Sequence, residues 1–152
     1  MSQTIKSLKV LFERDLGTLK KELMAYEDES QLWLVEGAIT NSAGNLVLHL
    51  CGNLKHFIGA VLGDSGYIRE RDREFGDKNV SRAEMAKSID EAREIVLKTL
   101  DGLTDADLDK IYEVRVFNDK PITTHIFLLH LSGHLMYHLG QINYHRRLLT
   151  AQ

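Results

Sequence analysis

The feature that most constrains this chain is its last long segment, residues 124–149, which reads THIFLLHLSGHLMYHLGQINYHRRLL. It contains no proline, and its apolar residues recur at spacings of three and four, so the pattern predicts one amphipathic helix of about 26 residues. At about 100° per residue, seven of its residues fall within an arc of roughly 80°. They are Phe127, His130, His134, His138, Gln141, His145 and Leu148. We expect Phe127 and Leu148 to mark this arc as facing the interior, which would turn a row of imidazoles towards the core.

The histidine row can bind a metal ion only through neighbouring members. His130 and His138 are separated by about 12 Å of helix axis, whereas a Zn–N bond is only about 2.0–2.1 Å long. The chelating pair is therefore either His130 with His134 or His134 with His138, and the spacing permits both. A third ligand would have to come from another helix.

Several imidazoles on one interior stripe favour a metal over a purely structural role. Unpaired imidazoles in a core would cost desolvation energy with no compensation, and a metal ion accounts for at least two of them. The alternative is a ladder of histidine hydrogen bonds. The Glu-x-x-His pairs of di-iron bundles, the HExxH motif of zincins, Gly-rich phosphate loops, GxSxG and CxxC are all absent from the sequence. What remains is a mononuclear site with histidine ligands and open positions.

Three further segments have helical patterns. An apolar stripe at spacings of three and four predicts a helix over about residues 4–26. A second helix is predicted from about Asn45 to Leu62, with Ser42 or Asn45 as its N-cap. A capping box, Ser81 with Glu84, begins a third that ends near Leu100. Four such helices predict an all-α protein, an antiparallel four-helix bundle, in a single domain over residues 1–152.

The connections are predicted to be mostly irregular. Residues 27–44 read as a loop with a short turn, and residues 63–79 as a solvated, charged connection. The arginines Arg69, Arg71 and Arg73 could instead form a substrate-binding rim. Alternation over residues 112–117 predicts a short strand-like arm before the last helix.

Composition narrows the class of protein further. The chain has 152 residues, 43% of them hydrophobic, and a net charge of −3, so nothing in its charge favours nucleic acid as a partner. No apolar run of 18 or more residues occurs, so no membrane span is expected, and the N-terminus lacks the apolar core of a secretory signal. The single cysteine, Cys51, cannot form an internal disulfide, which fits a reducing cytoplasm.

Two motifs together resemble a known superfamily. The closing helix contains HLSGHLMYHLGQI, and the second helix contains NLVLHLCGNL. This pairing resembles the DinB/YfiT-like superfamily, whose last helix carries H-x-x-x-H shortly before Gly-Gln and whose second helix supplies another histidine. The chain length and the arm before the last helix are also similar, so the resemblance covers essentially the whole chain.

The resemblance implies a set of metal ligands. His49 matches the second-helix histidine, and His134 and His138 match the closing pair. His130 then lies one turn outside the triad, as a pocket residue or a partner of the ligands, and His145 is expected to be structural. Leu139 stands where the family often has arginine or threonine.

Three other residues are candidates for a supporting role. Asn53 and Gln141 are expected to hydrogen-bond the second nitrogen of ligating imidazoles, which needs a partner of its own. Tyr137 is a candidate polar contact, although packing is the simpler explanation.

The function implied by the resemblance is metal-dependent. Members with an activity are transferases and isomerases that use low-molecular-weight thiols such as bacillithiol or mycothiol, and others are described as metal-dependent hydrolases. We therefore expect one divalent ion, zinc or nickel, with a small-molecule substrate, a thiol cosubstrate and a homodimeric assembly. The alternative is a metal-binding or stress-response bundle without enzymatic activity, and the sequence leaves open whether the protein is an enzyme.

Overall fold

The computed structural model describes residues 1–150, and within them the protein is a bundle of helices. The elements are α1 (Gln3–Ala25), a 3-10 turn (Glu29–Trp33), α2 (Ala43–Leu54), a π-helical segment (Lys55–Ala60), α3 (Val61–Gly63), α4 (Arg71–Gly76), α5 (Arg82–Gly102), α6 (Asp105–Asp109) and α7 (Thr124–Leu149). The segment from α2 to α3 is continuous, so the long helices are α1, Ala43–Gly63, α5 and α7. The predicted all-α bundle is confirmed.

Side chains at the helix starts explain where these helices begin. The hydroxyls of Ser2, Ser42, Ser81 and Thr123 each accept a hydrogen bond from a backbone N–H in the first turn of α1, α2, α5 and α7, respectively. The predicted capping box at the start of α5 is present, because Ser81 and Glu84 hydrogen-bond each other's backbone N–H groups. Ser42, rather than Asn45, is the N-cap of α2.

Ion pairs and packing contacts give the direction of each helix. Glu13 and Lys20 of α1 pair with Arg93 and Asp90 of α5, so these helices run antiparallel. Arg14 and Glu22 of α1 contact Met136 and Arg146 of α7, so α1 and α7 run in the same direction. Likewise, Lys55 pairs with Glu91, and Gly63 packs on Thr99, which makes Ala43–Gly63 parallel to α5. Two helices therefore run each way, and Ala43–Gly63 lies antiparallel to α7.

The core is formed by one stripe from each long helix. Leu8, Phe12, Leu16 and Leu19 from α1 are fully buried together with Leu50 and Leu54 from α2, Val96 and Leu100 from α5, and Leu128, Leu131 and Leu135 from α7. By length and composition alone, Ala43–Gly63 could cross a membrane, but 61% of its apolar window is buried inside the protein. A core helix gives the same signal, so this is weak evidence for a span.

The arm before α7 is not a strand. The sequence predicts a strand-like segment over residues 112–117, whereas residues 1–150 contain only two isolated antiparallel bridges, Ile111 with Thr123 and Phe117 with Lys120. Asn118 and Asp119 turn the arm with positive φ angles. The arm packs inward through Tyr112, whose hydroxyl donates to the backbone carbonyl of Phe57. The arm is thus held mainly by side-chain contacts rather than by the backbone hydrogen bonds of a β-sheet.

Candidate metal centre

The histidine row of α7 lies on the flank of the buried face and not at its centre. The buried stripe consists of Leu128, Leu131, Leu135, Leu139 and Ile142. His134 and His138 are half-buried beside it, and His130 is exposed. The prediction that Leu148 faces the interior is wrong, since 70% of its side chain is exposed. The arc is tilted relative to the core, so each histidine has a different environment.

Three imidazoles from two helices meet at this flank. His49 on α2 is 7% exposed, and its Nε2 lies 3.3 Å from the Nε2 of His134. The Nε2 of His138 lies 3.2 Å from the same atom. One potential ligand atom from each residue lies within 4.8 Å of the others, and this is a group that could hold a metal ion. The structure thus brings together the three residues that the resemblance implies as ligands.

The outer nitrogens of two of these rings are already hydrogen-bonded. His49 Nδ1 lies 3.0 Å from a carboxylate oxygen of Glu74, and His138 Nδ1 lies 2.7 Å from Oε1 of Gln141. Because both partners are acceptors, each Nδ1 carries the proton, and each Nε2 is left with a lone pair. Both lone pairs face Nε2 of His134. That atom could donate a hydrogen to one of them only, which leaves a repulsive contact that a cation would remove.

Glu74 contacts the histidine cluster through His49 and was not predicted from the sequence. Residues 63–79 were expected to be a solvated connection, but they contain α4, and Glu74 within it is 6% exposed. Besides His49, Glu74 accepts two hydrogen bonds from Arg69, each of 2.9 Å. Arg69 therefore does not form the substrate rim that was considered for it. The pattern RERDRE gives no signal that one of its carboxylates is buried.

Gly52 makes room for this carboxylate. A Cβ built on Gly52 would lie 2.0 Å from Oε2 of Glu74, so any other residue here would displace the carboxylate. Gly52 lies three residues after His49 on the same helix face. α2 is therefore shaped so that Glu74 can reach the imidazole.

The surroundings of the cluster favour an ionised Glu74 and neutral imidazoles at His134 and His138. Burial alone would raise the pKa of Glu74, but hydrogen bonds from His49 and Arg69 outweigh it and hold this pKa below its usual value. Burial, together with the neighbouring imidazoles, lowers the pKa of His134 to about 4. Burial also lowers the pKa of His138. Neutral imidazoles are the form that binds metals.

The other candidate residues have different roles. Asn53 is buried, but its Oδ1 has no hydrogen-bond partner within residues 1–150, and no hydrogen bond joins it to the three histidines. The expectation that Asn53 supports a ligand is therefore wrong, and Glu74 occupies that position. Tyr137 is 65% exposed, with its ring edge-on to His138, so it is not buried packing. His130 packs against Phe117 and Phe127 and makes no close nitrogen contact with His134.

The donor set fits a divalent metal. Two nitrogens that bind one tetrahedral ion at about 2.0–2.1 Å lie about 3.3–3.4 Å apart, and the two Nε2 separations here are 3.3 and 3.2 Å. The buried Nδ1 of His134 has no hydrogen-bond partner within residues 1–150. Coordination through Nε2 would leave the proton on this Nδ1, which needs an acceptor in the metal-bound state as well, so the argument for a metal is the spacing of the Nε2 atoms.

Fold and site together define an all-α helical bundle with a three-histidine cluster between its second and last long helices. A family model described as "Protein of unknown function (DUF1572)" matches residues 2–152, and the chain belongs to this family. A search of curated proteins found no match.

Proposed function

We propose that this protein is a DinB/YfiT-like metalloprotein that binds one divalent ion, zinc or nickel, through His49, His134 and His138. The observation that carries the proposal is the meeting of three Nε2 atoms, two of which have their Nδ1 proton held by an acceptor. Carboxylate–histidine pairs of this kind fix the ring and make the metal-facing nitrogen more basic. The motifs on α2 and α7 support the same assignment.

We further propose that the site is catalytic. Within residues 1–150, the group that could hold a metal contains three ligands, and three protein ligands with an open position are typical of catalytic rather than structural sites. When bound, the ion would supply Lewis acidity at that open position. Glu74 orients His49, Gln141 orients His138, and Arg69 holds Glu74 in place. The reaction that fits is S-transfer or isomerisation with a low-molecular-weight thiol, or hydrolysis.

The metal assignment is tested by elemental analysis of protein purified without added metal or a histidine tag. We expect one equivalent of metal in the wild type and in His130→Ala, but none in His134→Ala. His130 is the matched control because it lies one turn away on the same helix. Full occupancy in His134→Ala would overturn the assignment, and loss in His130→Ala would favour the pair His130 with His134.

The catalytic assignment is tested by a thiol-transferase and hydrolase screen of the loaded protein. Activity that disappears in His134→Ala and persists in His130→Ala would support it. A coordination sphere with four protein ligands and no exchangeable position would instead support the non-enzymatic, structural alternative.

The homodimer expected from the resemblance stays a prediction. Several apolar side chains of α7 are exposed, among them Ile126, Leu129 and Met136, and burial in a second copy would remove them from water. Sedimentation equilibrium gives the oligomeric state directly.

A further inference from the structure

A cavity of about 820 Å³ opens next to the three-histidine cluster. Leu46 and His145, both buried, form part of its lining. Residues 38–41 from the loop before α2 form another part, and exposed side chains of α7, including Tyr137 and Tyr144, complete it. Its volume lies in the range of small-molecule sites, about 300–1,000 Å³.

The cavity and the proposed metal centre share residues. His138 and Gln141 line the cavity, and the hydrogen bond between them sets the orientation of the His138 ring. A molecule in the cavity would therefore have one end at His138, beside the metal-facing nitrogens. This places the cavity where a substrate of the site would lie.

The lining carries no charged side chain. It contains no lysine, arginine, aspartate or glutamate within residues 1–150. Its one further histidine, His145, has both nitrogens occupied, by the hydroxyl of Tyr26 and the carbonyl of Leu34. Arg147 lies over the ring of Tyr144 at 5.3 Å but is not among the lining residues. In the metal-free protein, a carboxylate or phosphate in the cavity would therefore lose water without gaining a cationic side chain as its partner, which is costly.

Neutral polar groups are nevertheless available. The side chains of Thr40, Asn41, Tyr137 and Tyr144 line the cavity, and none of them forms a hydrogen bond to another residue of the described chain. An apolar pocket with a few uncommitted hydroxyl and amide groups is suited to an uncharged ligand whose orientation is set by one or two hydrogen bonds.

We propose that this cavity binds the second substrate of the site, an uncharged and largely apolar small molecule that presents one neutral polar group at His138. Any chemistry at the His138 end rests on the proposed function, whereas binding in the cavity does not. It divides the two reactants by charge, because an anionic, carboxylate-bearing thiol finds no partner in this lining.

The charge preference is tested with a matched pair of fluorescent probes. N-Phenyl-1-naphthylamine and 8-anilino-1-naphthalenesulfonate share one aromatic scaffold and differ by a sulfonate group. We expect the neutral probe to bind metal-free wild-type protein with one-to-one stoichiometry. The anionic probe should bind about tenfold more weakly or worse, because its charge would be buried without a partner. Equal affinity for both probes would overturn the charge assignment.

The location is tested by filling the cavity from α7. Gly140 lines the cavity, and a Cβ built there has no atom within 4 Å, so the side chain of Gly140→Leu would start in open space at the cavity. Gly133 lies about two turns away on nearly the same helix face, also has open space at its Cβ and does not line the cavity. Both exchanges replace a helical glycine by a strong helix former, so both variants should fold.

We expect Gly140→Leu to weaken binding of the neutral probe by about tenfold or more, because the side chain occupies the ligand volume, and Gly133→Leu to leave it unchanged. Equal probe binding in both variants would show that the probe does not bind in this cavity. The same conclusion would follow if Gly140→Leu changed the oligomeric state but not probe binding. His49→Ala separates this proposal from the metal centre, since His49 does not line the cavity. That variant should lose its metal and keep its probe binding. Loss of probe binding there, with the fold intact, would contradict a separate cavity.

Discussion

Two members of the histidine row on α7, His138 and His145, use the same side chain in opposite ways. His145 is buried, its Nδ1 lies 2.8 Å from the hydroxyl of Tyr26, and its Nε2 lies 2.8 Å from the carbonyl of Leu34. Two turns earlier, His138 has one nitrogen hydrogen-bonded and the other facing the nitrogens of His134 and His49. One imidazole is fully hydrogen-bonded by the protein, and the other is left with an uncommitted lone pair.

Helical periodicity alone therefore does not identify which histidine is a metal ligand. His138 and His145 lie on the same arc of one helix, so their spacing does not show which of them is the metal ligand. What separates them is whether the surrounding chain satisfies both ring nitrogens. The 3-10 turn and Tyr26 do so at His145, whereas Glu74 and Gln141 satisfy only the outer nitrogens of His49 and His138.

The largest expected effect comes from removing the structural histidine. In His145→Ala, the Tyr26 hydroxyl and the Leu34 carbonyl lose their partner and a cavity forms. We expect the free energy of unfolding of the metal-free protein to fall by about 2–4 kcal/mol, measured by urea denaturation. Metal content should stay at one equivalent.

The exposed His130 supplies the control for this measurement. Within residues 1–150, His130 contacts Phe117 and Phe127 through its ring and forms no side-chain hydrogen bond, so we expect His130→Ala to cost less than about 1 kcal/mol. If His145→Ala abolished metal binding while the protein stayed folded, the assignment of His145 as structural and His138 as a ligand would be wrong.

A smaller effect is expected from removing the charge of Glu74, the carboxylate that holds the Nδ1 proton of His49. Glu74→Gln keeps the shape of the side chain and removes its charge, so the Nδ1 proton of His49 is held less strongly. We expect zinc affinity to fall by about 10–100-fold, measured by competition with a chelating dye.

Glu70→Gln is the matched control, because Glu70 is exposed and, among residues 1–150, its one ion pair is with Arg73 at the surface. Its zinc affinity should equal that of the wild type. Unchanged affinity in Glu74→Gln would show that the carboxylate has no influence on the ligand.

The smallest expected effect is a pH dependence of the free energy of unfolding that arises from His134. Burial lowers the pKa of His134 from 6.5 to about 4 in the folded protein. Between these values the unfolded chain binds the proton and the folded protein does not, so stability falls as pH decreases from 6.5 towards 4. After allowance for solvent at this half-buried ring, we expect about 1 kcal/mol in the metal-free protein.

His134→Asn serves as the comparison in the same urea titrations. Its stability should depend less on pH over that range. An equal slope in both proteins would mean that His134 does not carry the effect.

Much of the fold follows from the sequence because its signals are local. The apolar periodicity of α1 and α7 and the Ser81–Glu84 capping box predict helices that the structure confirms within one or two residues. The strand-like alternation over residues 112–117 was misleading. That arm has no neighbouring strand, so its apolar residues pack on α7 instead.

The parts of the site that were not predicted depend on contacts between distant segments. Glu74 lies in a run of alternating charges, and only the folded chain shows that Arg69 and His49 compensate its burial. Leu148 belongs to the same arc as the histidines, yet it is exposed at the lining of the open cavity. The approach of His49 to His134 and His138 was expected from the resemblance to paired motifs and could not be derived from spacing.

The most direct test of the central claim is X-ray absorption spectroscopy of the zinc-loaded protein, which counts the imidazoles bound to the ion. We predict three histidine nitrogens at about 2.0–2.1 Å together with at least one exchangeable light-atom ligand. In His145→Ala the spectrum should be unchanged, and in His138→Ala one imidazole should be lost. A spectrum with fewer than three imidazoles in the wild type, or with four protein ligands, would contradict the account.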